Sequence, residues 1–393
     1  MPAARDLKAR AAAAVEAARP EILELSARIH ANPEPAFEEV RAAAWCAEAI
    51  SRAGYAVEHP AGRLATAVRG RLTGGKGANG PRIGILAEYD ALPGLGHGCG
   101  HNTMAASGVG AAIALAALRD AFAGEIVFLG TPAEERGSGK QLMLDDGLMD
   151  GLDAALLFHP GDRDMVGCLL LASEDVDVTF TGKAAHAAGE PWEGRNALDA
   201  AVLLFQAIGL WRQQLPQHAR VHGIVLEGGT AANIIPDRAT ARFMIRSTDQ
   251  AYFEGMRGRF RALVDGAAMM ADVESDLVFS GGSTTMRDNG ILAGLWRANL
   301  EAAGRVDEGV DPEHIGSSDM GNVSLVLPTI HPTLAICDHG VPWHSIESRD
   351  AAATPRADET TLLAATLVAQ TALDLLADPA LAEAAWRELR GED

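Results

Sequence analysis

Three short apolar runs, RIGILAE (82–88), EIVFL (125–129) and AALLF (154–158), recur along the first half of the chain with helix-like segments between them. Runs of this length suit strands buried on both faces, and helical segments between such strands serve as the crossovers that parallel pairing requires. The intervening segments agree: Ile22, Leu25 and Ile29 have helical spacing, 37–53 reads as a helix closed by Gly54, and 103–119 is a helix built from small residues. The fold class expected is α/β, a mostly parallel sheet flanked by helices.

From Asp175 the period changes. DVDVTFT alternates Val176, Val178 and Phe180 with polar neighbours, as an antiparallel strand with one wet face does. A helix (196–212), two strands (221–226 and 239–246), a helix (250–270) and a strand (275–279) follow, giving the order βαββαβ of a ferredoxin-like α+β unit. After Gly281 and Gly282 the α/β texture returns with a helix over 291–303, a strand over 333–337 and a helix over 360–377. A chain of 393 residues exceeds what one core usually organises. The expected organisation is an α/β domain of residues 1–174 and 283–393, interrupted by an inserted domain of residues 175–282.

Composition narrows the partners. With 48% hydrophobic and 22% charged residues the chain should fold throughout, and its net charge of -20 would repel nucleic acid and anionic membrane surfaces. No basic and apolar leader opens the sequence, 1–20 reads as an Ala-rich helix, and charged or turn residues interrupt every apolar run. A soluble, cytoplasmic protein acting on a small molecule is expected. The four cysteines are far apart, which suggests no disulfide framework; Cys46, Cys168 and Cys337 read as buried core thiols, and Cys99 is the exception.

Ligands in open α/β sheets gather beyond the carboxyl ends of the strands. After RIGILAE come Asp90, Cys99 and His101; after EIVFL, Glu134 and Glu135; after AALLF, His159; and after TLAIC, His339 and His344. Taken singly, each has an ordinary structural explanation: a core histidine, a solvated acidic pair, a core thiol. Together they supply thiolate, imidazole and carboxylate, a set suited to one or two divalent ions such as Zn²⁺, Mn²⁺ or Co²⁺. The glycine between Cys99 and His101 lets both side chains turn to one point.

The ordered motifs EYDALP, GHGCGHN, TPAEERGSGK, FHP, GKAAHAA, NIIPDRA, GSSDMGNVS and a final HS, spread from about Arg28 to Ser345, resemble the aminoacylase and carboxypeptidase family of co-catalytic metallopeptidases. They are most similar to its amidohydrolase branch, and within it to the p-aminobenzoyl-glutamate hydrolase and β-alanyl-lysine dipeptidase-like group. The resemblance implies that Cys99, His101, Glu135, His159 and His344 ligate metal and that Glu134 is the general base. It also implies a homodimer formed through the inserted domain, with His186 stabilising the oxyanion across the subunit interface and Asn233 binding substrate near its carbonyl or carboxylate. Arg246 and Arg287 are chemically suited to a substrate carboxylate, and the GSSD stretch with Ser318 could offer amides beside the site. His97, His331 and His339 are expected to be structural. Glu88-Tyr89-Asp90 stands where peptidase branches carry His-x-Asp, which disfavours strict aminopeptidase chemistry and leaves Asp90 to orient a ligand.

The function expected is metal-dependent hydrolysis of the amide of N-acyl amino acids or short dipeptides. The alternatives are a dipeptidase requiring a free amino terminus, a non-catalytic subunit that keeps the fold, and a redox protein using Cys99.

Overall fold

The computed structural model describes residues 2–310 and 315–392. Met1, residues 311–314 and Asp393, which fall in the expected first domain, lie outside the described residues. The chain divides into two compact units, one of Met1–Leu169, Met286–His314 and Asp319–Asp393, the other of Leu170–Thr285 and Ile315–Ser318. The second unit is wider than the expected 175–282. Residues 315–318 join it because Gly316 bridges Leu170 and its carbonyl accepts the Leu171 N–H at 2.8 Å.

The first unit opens with helices α1 (Pro2–Ala17), α2 (Arg19–Ala31) and α3 (Val40–Arg52), then strands β1 (Ala56–Glu58), β2 (Val68–Thr73) and β3 (Arg82–Glu88). Helix α4 (His101–Ala117), β4 (Glu125–Thr131), α5 (Gly139–Asp145), β5 (Ala154–Leu156) and β6 (His159–Gly161) follow. After the second unit, the chain returns through α8 (Gly290–Ala302), α9 (Met320–Ser324), β11 (Thr329–Ile330), β12 (Thr333–Ala335), α10 (Ile346–Ala351), α11 (Pro355–Ala377) and α12 (Pro379–Arg390). The main sheet runs β1-β2-β4-β3-β5-β11, with β4, β3, β5 and β11 parallel and the β1-β2 pair antiparallel at one edge.

Strands β3 and β4 are buried almost from end to end, which is why their sequences show no alternation. Helix α4 lies close on β3. A Cβ on Gly108 would come 2.8 Å from the Ala87 Cβ, so the small residues of this helix are what allow the approach. The strand expected over 333–337 ends at Ala335 and pairs with β6 rather than within the main sheet. Pro332, which has no N–H to give, separates it from β11.

Two expectations need correction. Helix α11 is long and apolar enough to cross a membrane by length and composition, but 72% of its apolar window is buried inside the protein, as in a core helix. Its charged residues Arg356, Asp358 and Glu359 crowd its first turns and leave Asp374 as the one charged residue of the remainder. Of the three cysteines expected in the core, Cys46 and Cys337 are buried but Cys168 is only half-buried, on the loop after β6.

The second unit is β7 (Ala172–Thr181), α6 (Ala197–Arg212), β8 (Ala219–Glu227), β9 (Arg238–Ser247), α7 (Gln250–Ala271) and β10 (Glu274–Ser283). Its sheet order is β10-β7-β9-β8, antiparallel throughout, the ferredoxin-like arrangement read from the sequence. Val176, Val178 and Phe180 face a core with Leu204, Ile208, Phe243 and Phe260 from the two helices and β9. Strand β8 is an open edge.

Candidate metal centre

The loop after β3 and the start of α4 build the centre's floor. Gly100 takes φ +72 at the helix N-cap, with its ideal Cβ position only 2.7 Å from the Pro160 side chain, so a side chain there would meet both backbone strain and a clash. Cys99 and His101 on either side therefore turn inward together. Asp90 orients the histidine: His101 Nδ1 lies 2.9 Å from the Asp90 carbonyl and 3.1 Å from its carboxylate. A carbonyl can only accept, so Nδ1 carries a proton and Nε2 is the nitrogen that faces the other donors. His159 is set in the same way, Nδ1 donating to the Pro160 carbonyl at 2.7 Å while Nε2 faces Cys99 Sγ at 3.5 Å.

Glu134 and Glu135 leave β4 through a turn in which Ala133 has φ +60. Buried Glu39 steadies this strained residue by accepting its N–H at 2.8 Å, and accepts the Thr66 hydroxyl on its other oxygen. Asp90 Oδ2 accepts the Glu135 N–H at 2.9 Å, linking the two loops. From the opposite side the His344 N–H donates to the Gly98 carbonyl, and His344 Nε2 stands 3.6 Å from a Glu135 oxygen.

Three ligand trios result, each with its donor atoms within 4.8 Å of one another: Cys99, His101 and His159; Cys99, Glu135 and His344; and Glu88, His101 and Glu134. The first two share one sulfur. His101 Nε2 and Glu135 Oε1 are buried and make no regular hydrogen bond among the described residues, as donors awaiting a cation would. The donor chemistry and these orphan atoms fit a divalent pair.

The electrostatics agree. Burial, reinforced by Glu135, pushes the Cys99 thiol up, so it ionises readily only when a cation arrives. Burial lowers His159 to about 4, keeping a neutral ring with a free lone pair. For His101 burial favours the neutral ring, but Cys99 and Asp90 outweigh it and raise the group, so a cation would have to displace the Nε2 proton as it would that of Cys99. Burial lifts the Glu134 carboxyl well above the usual range, and Glu88 adds to the effect.

Of the other residues singled out in the sequence, His186, Asn233, Arg246 and Ser318 belong to the second unit. His186 and Asn233 are neighbours there, because Ala187 N–H donates to the Asn233 carbonyl and His186 bridges Ile234. Arg246 is half-buried on β9 beside Ser173, and Ser318 is buried. Arg287 reaches the Glu388 carbonyl, His97 and His331 are buried, and His339 pairs with Glu308. Sequence reasoning gave no role to Glu88 or Lys140 and gave Asp319 only a backbone amide, yet the three side chains are buried together.

A sheet with thiol, imidazole and carboxylate donors at its strand exits, a glutamate beside them and a ferredoxin-like insertion define an amide-bond hydrolase of the metallopeptidase class. The model of peptidase family M20/M25/M40 matches residues 84–373, and the chain belongs to that family. It is 36% identical to the Xaa-Arg dipeptidase of Mus musculus over 98% of this chain and 92% of that protein. It is 33% identical to one of the p-aminobenzoyl-glutamate hydrolase subunits of Escherichia coli over 68% of this chain and 59% of the other. Among solved structures, a Bacillus subtilis dinuclear metal binding peptidase of the M20 family superposes with TM-score 0.71 at 21% identity, covering 92% of this chain and 99% of the other.

Proposed function

We propose that this protein is a dinuclear hydrolase that cleaves the amide of short substrates ending in a free carboxylate, dipeptides and N-acyl amino acids. The observation that carries the proposal is the pair of ligand trios sharing Cys99, with Glu134 beside them. Cys99, His101 and His159 would hold one divalent ion and Cys99, Glu135 and His344 the other. Such ions supply Lewis acidity, polarising the amide carbonyl and acidifying water.

The chain's own residues do the rest. Glu134, made basic by burial, accepts the proton of the attacking water and returns it to the leaving nitrogen. His186 is suited to donate to the oxyanion. Its Nδ1 accepts N–H bonds from Ala188 at 3.2 Å and Gly189 at 3.0 Å, so the proton of the neutral ring resides on Nε2, and the side chain is exposed. Asn233, Arg246 and Ser318 are proposed to bind the substrate's carbonyl and carboxylate.

A homodimer formed through the second unit is part of the proposal. Ile224, Val225 and Leu226 are about half-exposed on open strand β8, with Val202 beside them on α6, and a second copy would cover both the edge and the apolar surface.

Aminoacyl-arginine dipeptides come first among substrates, since the mouse Xaa-Arg dipeptidase is similar over nearly the whole chain. The test is a panel of Xaa-Arg and Xaa-Lys dipeptides, their N-acylated counterparts and p-aminobenzoyl-glutamate, assayed with Mn²⁺, Zn²⁺ or Co²⁺ added. Turnover abolished by chelation and lowered about a hundredfold or more in Glu134→Gln is expected. Turnover of only the unblocked dipeptides would mean that a free amino terminus is required, and no turnover in metal-replete protein would favour a non-catalytic role.

A further inference from the structure

The three ligand trios are not equivalent. Two meet at Cys99, whereas the third, Glu88, His101 and Glu134, faces a lysine. The Lys140 side chain is wholly buried, with its ammonium 2.6 Å from Glu88 Oε1 and 2.5 Å from Asp319 Oδ1. Its backbone N–H donates to Asp319 Oδ2 at 2.8 Å, so α5 and the start of α9 are tied at this point. The second oxygen of Glu88 lies 3.2 Å from His101 Nε2, the nitrogen that faces the other donors.

Burial alone would strip Lys140 of its proton, but Asp319, Glu88 and Glu134 outweigh it and hold the ammonium charged. Burying such a group is costly, and an apolar pair of similar shape usually packs at least as stably. Stability by itself therefore gives this lysine no reason to be there.

We propose that Lys140 is a built-in counter-cation that closes the third trio to metal, confining divalent ions to the two pockets that share Cys99 and keeping Glu134 free to act as a base. The inference rests on the metal-centre proposal above. An ion seated among Glu88, His101 and Glu134 would engage the carboxylate that must accept the proton. A fixed ammonium neutralises Glu88 without touching Glu134's proton-accepting role, and it cannot exchange with ions in solution. Glu88 is thereby positioned as a neutralised wall of the site, not as a ligand.

The test uses the full chain as wild type, Lys140→Met, and the double variant Lys140→Met/Asp319→Leu, which removes one charge of each sign and guards against misfolding of the single variant. Mn²⁺ is titrated into chelator-stripped protein, with bound metal counted by mass spectrometry, melting temperature recorded and activity followed at rising Mn²⁺. Wild type should bind two ions per subunit and tolerate excess Mn²⁺. Either folded variant should bind a third ion at least about tenfold more tightly than any third ion binds wild type. It should also gain melting temperature beyond two equivalents and lose activity as that ion fills. Folded variants that stop at two ions, with no inhibition by excess Mn²⁺, would overturn the role given to Lys140 while leaving the centre intact. Wild type that binds no Mn²⁺ would instead overturn the centre itself.

Discussion

Asp288 shows how single residues set conditions for this fold. Burial raises its pKa from 3.8 to about 6, outweighing the Cys168 N–H that its Oδ2 accepts at 3.0 Å and a backbone hydrogen bond from His331. The folded protein thus holds this proton more tightly than the unfolded chain. The group's stabilising contribution is fully present below about pH 4 and is lost as pH rises through about 6. The shift corresponds to about 3 kcal/mol of strain at neutral pH. Asp288→Asn, whose amide oxygen can keep the Cys168 bond, should stabilise by about 2 kcal/mol in urea denaturation near pH 8 and hardly at all near pH 4. Equal effects at both pH values would contradict the assignment. At the same scale, Cys99, His101, Glu134, Glu135, His159 and His344 were legible because each follows a recognisable buried strand. Lys140 was not, since a lysine in a glycine-rich stretch looks solvated until the partners from two distant segments, Glu88 and Asp319, are brought to it.

Elements place these residues by close packing. Helix α4 carries His101 in its first turn, and its approach to β3 depends on Gly108, where an added Cβ would meet Ala87 Cβ at 2.8 Å and the Leu86 carbonyl at 3.2 Å. Gly108→Val should cost about 2–3 kcal/mol in denaturant unfolding and lower metal retention as His101 is displaced. A variant with the wild-type unfolding midpoint would show that the contact is slack. The long buried strands and the ferredoxin-like order could be read from periodicity. Strands β1, β2 and β11 were not read, because β1 and β11 are too short to show a period and the alternation of VRGRLT in β2 runs through a glycine and a single leucine. The boundary of the second unit also escaped, since the pairing of Gly316 with Leu170, which ties residues 315–318 to it, leaves no local pattern.

For the whole molecule, the proposal is that a dimer covers the exposed β8 edge and that the partner's His186 serves each centre. Ile224→Arg should yield monomers by light scattering and lose most activity, since a charge on that open edge opposes pairing. Glu134→Gln and His186→Ala subunits, each inactive alone, should recover about a quarter of wild-type activity when mixed equally and allowed to exchange, because half the dimers then contain one complete site. No recovery despite proven exchange would place His186 outside the reaction. The central proposal is that Cys99, common to two ligand trios, would serve two ions in every subunit. Anomalous diffraction at the manganese edge from Mn²⁺-loaded crystals tests it most directly. Two peaks on either side of Cys99 Sγ, one beside His101 and His159 and the other beside Glu135 and His344, are predicted; peaks that avoid Cys99, or none at all, would contradict it.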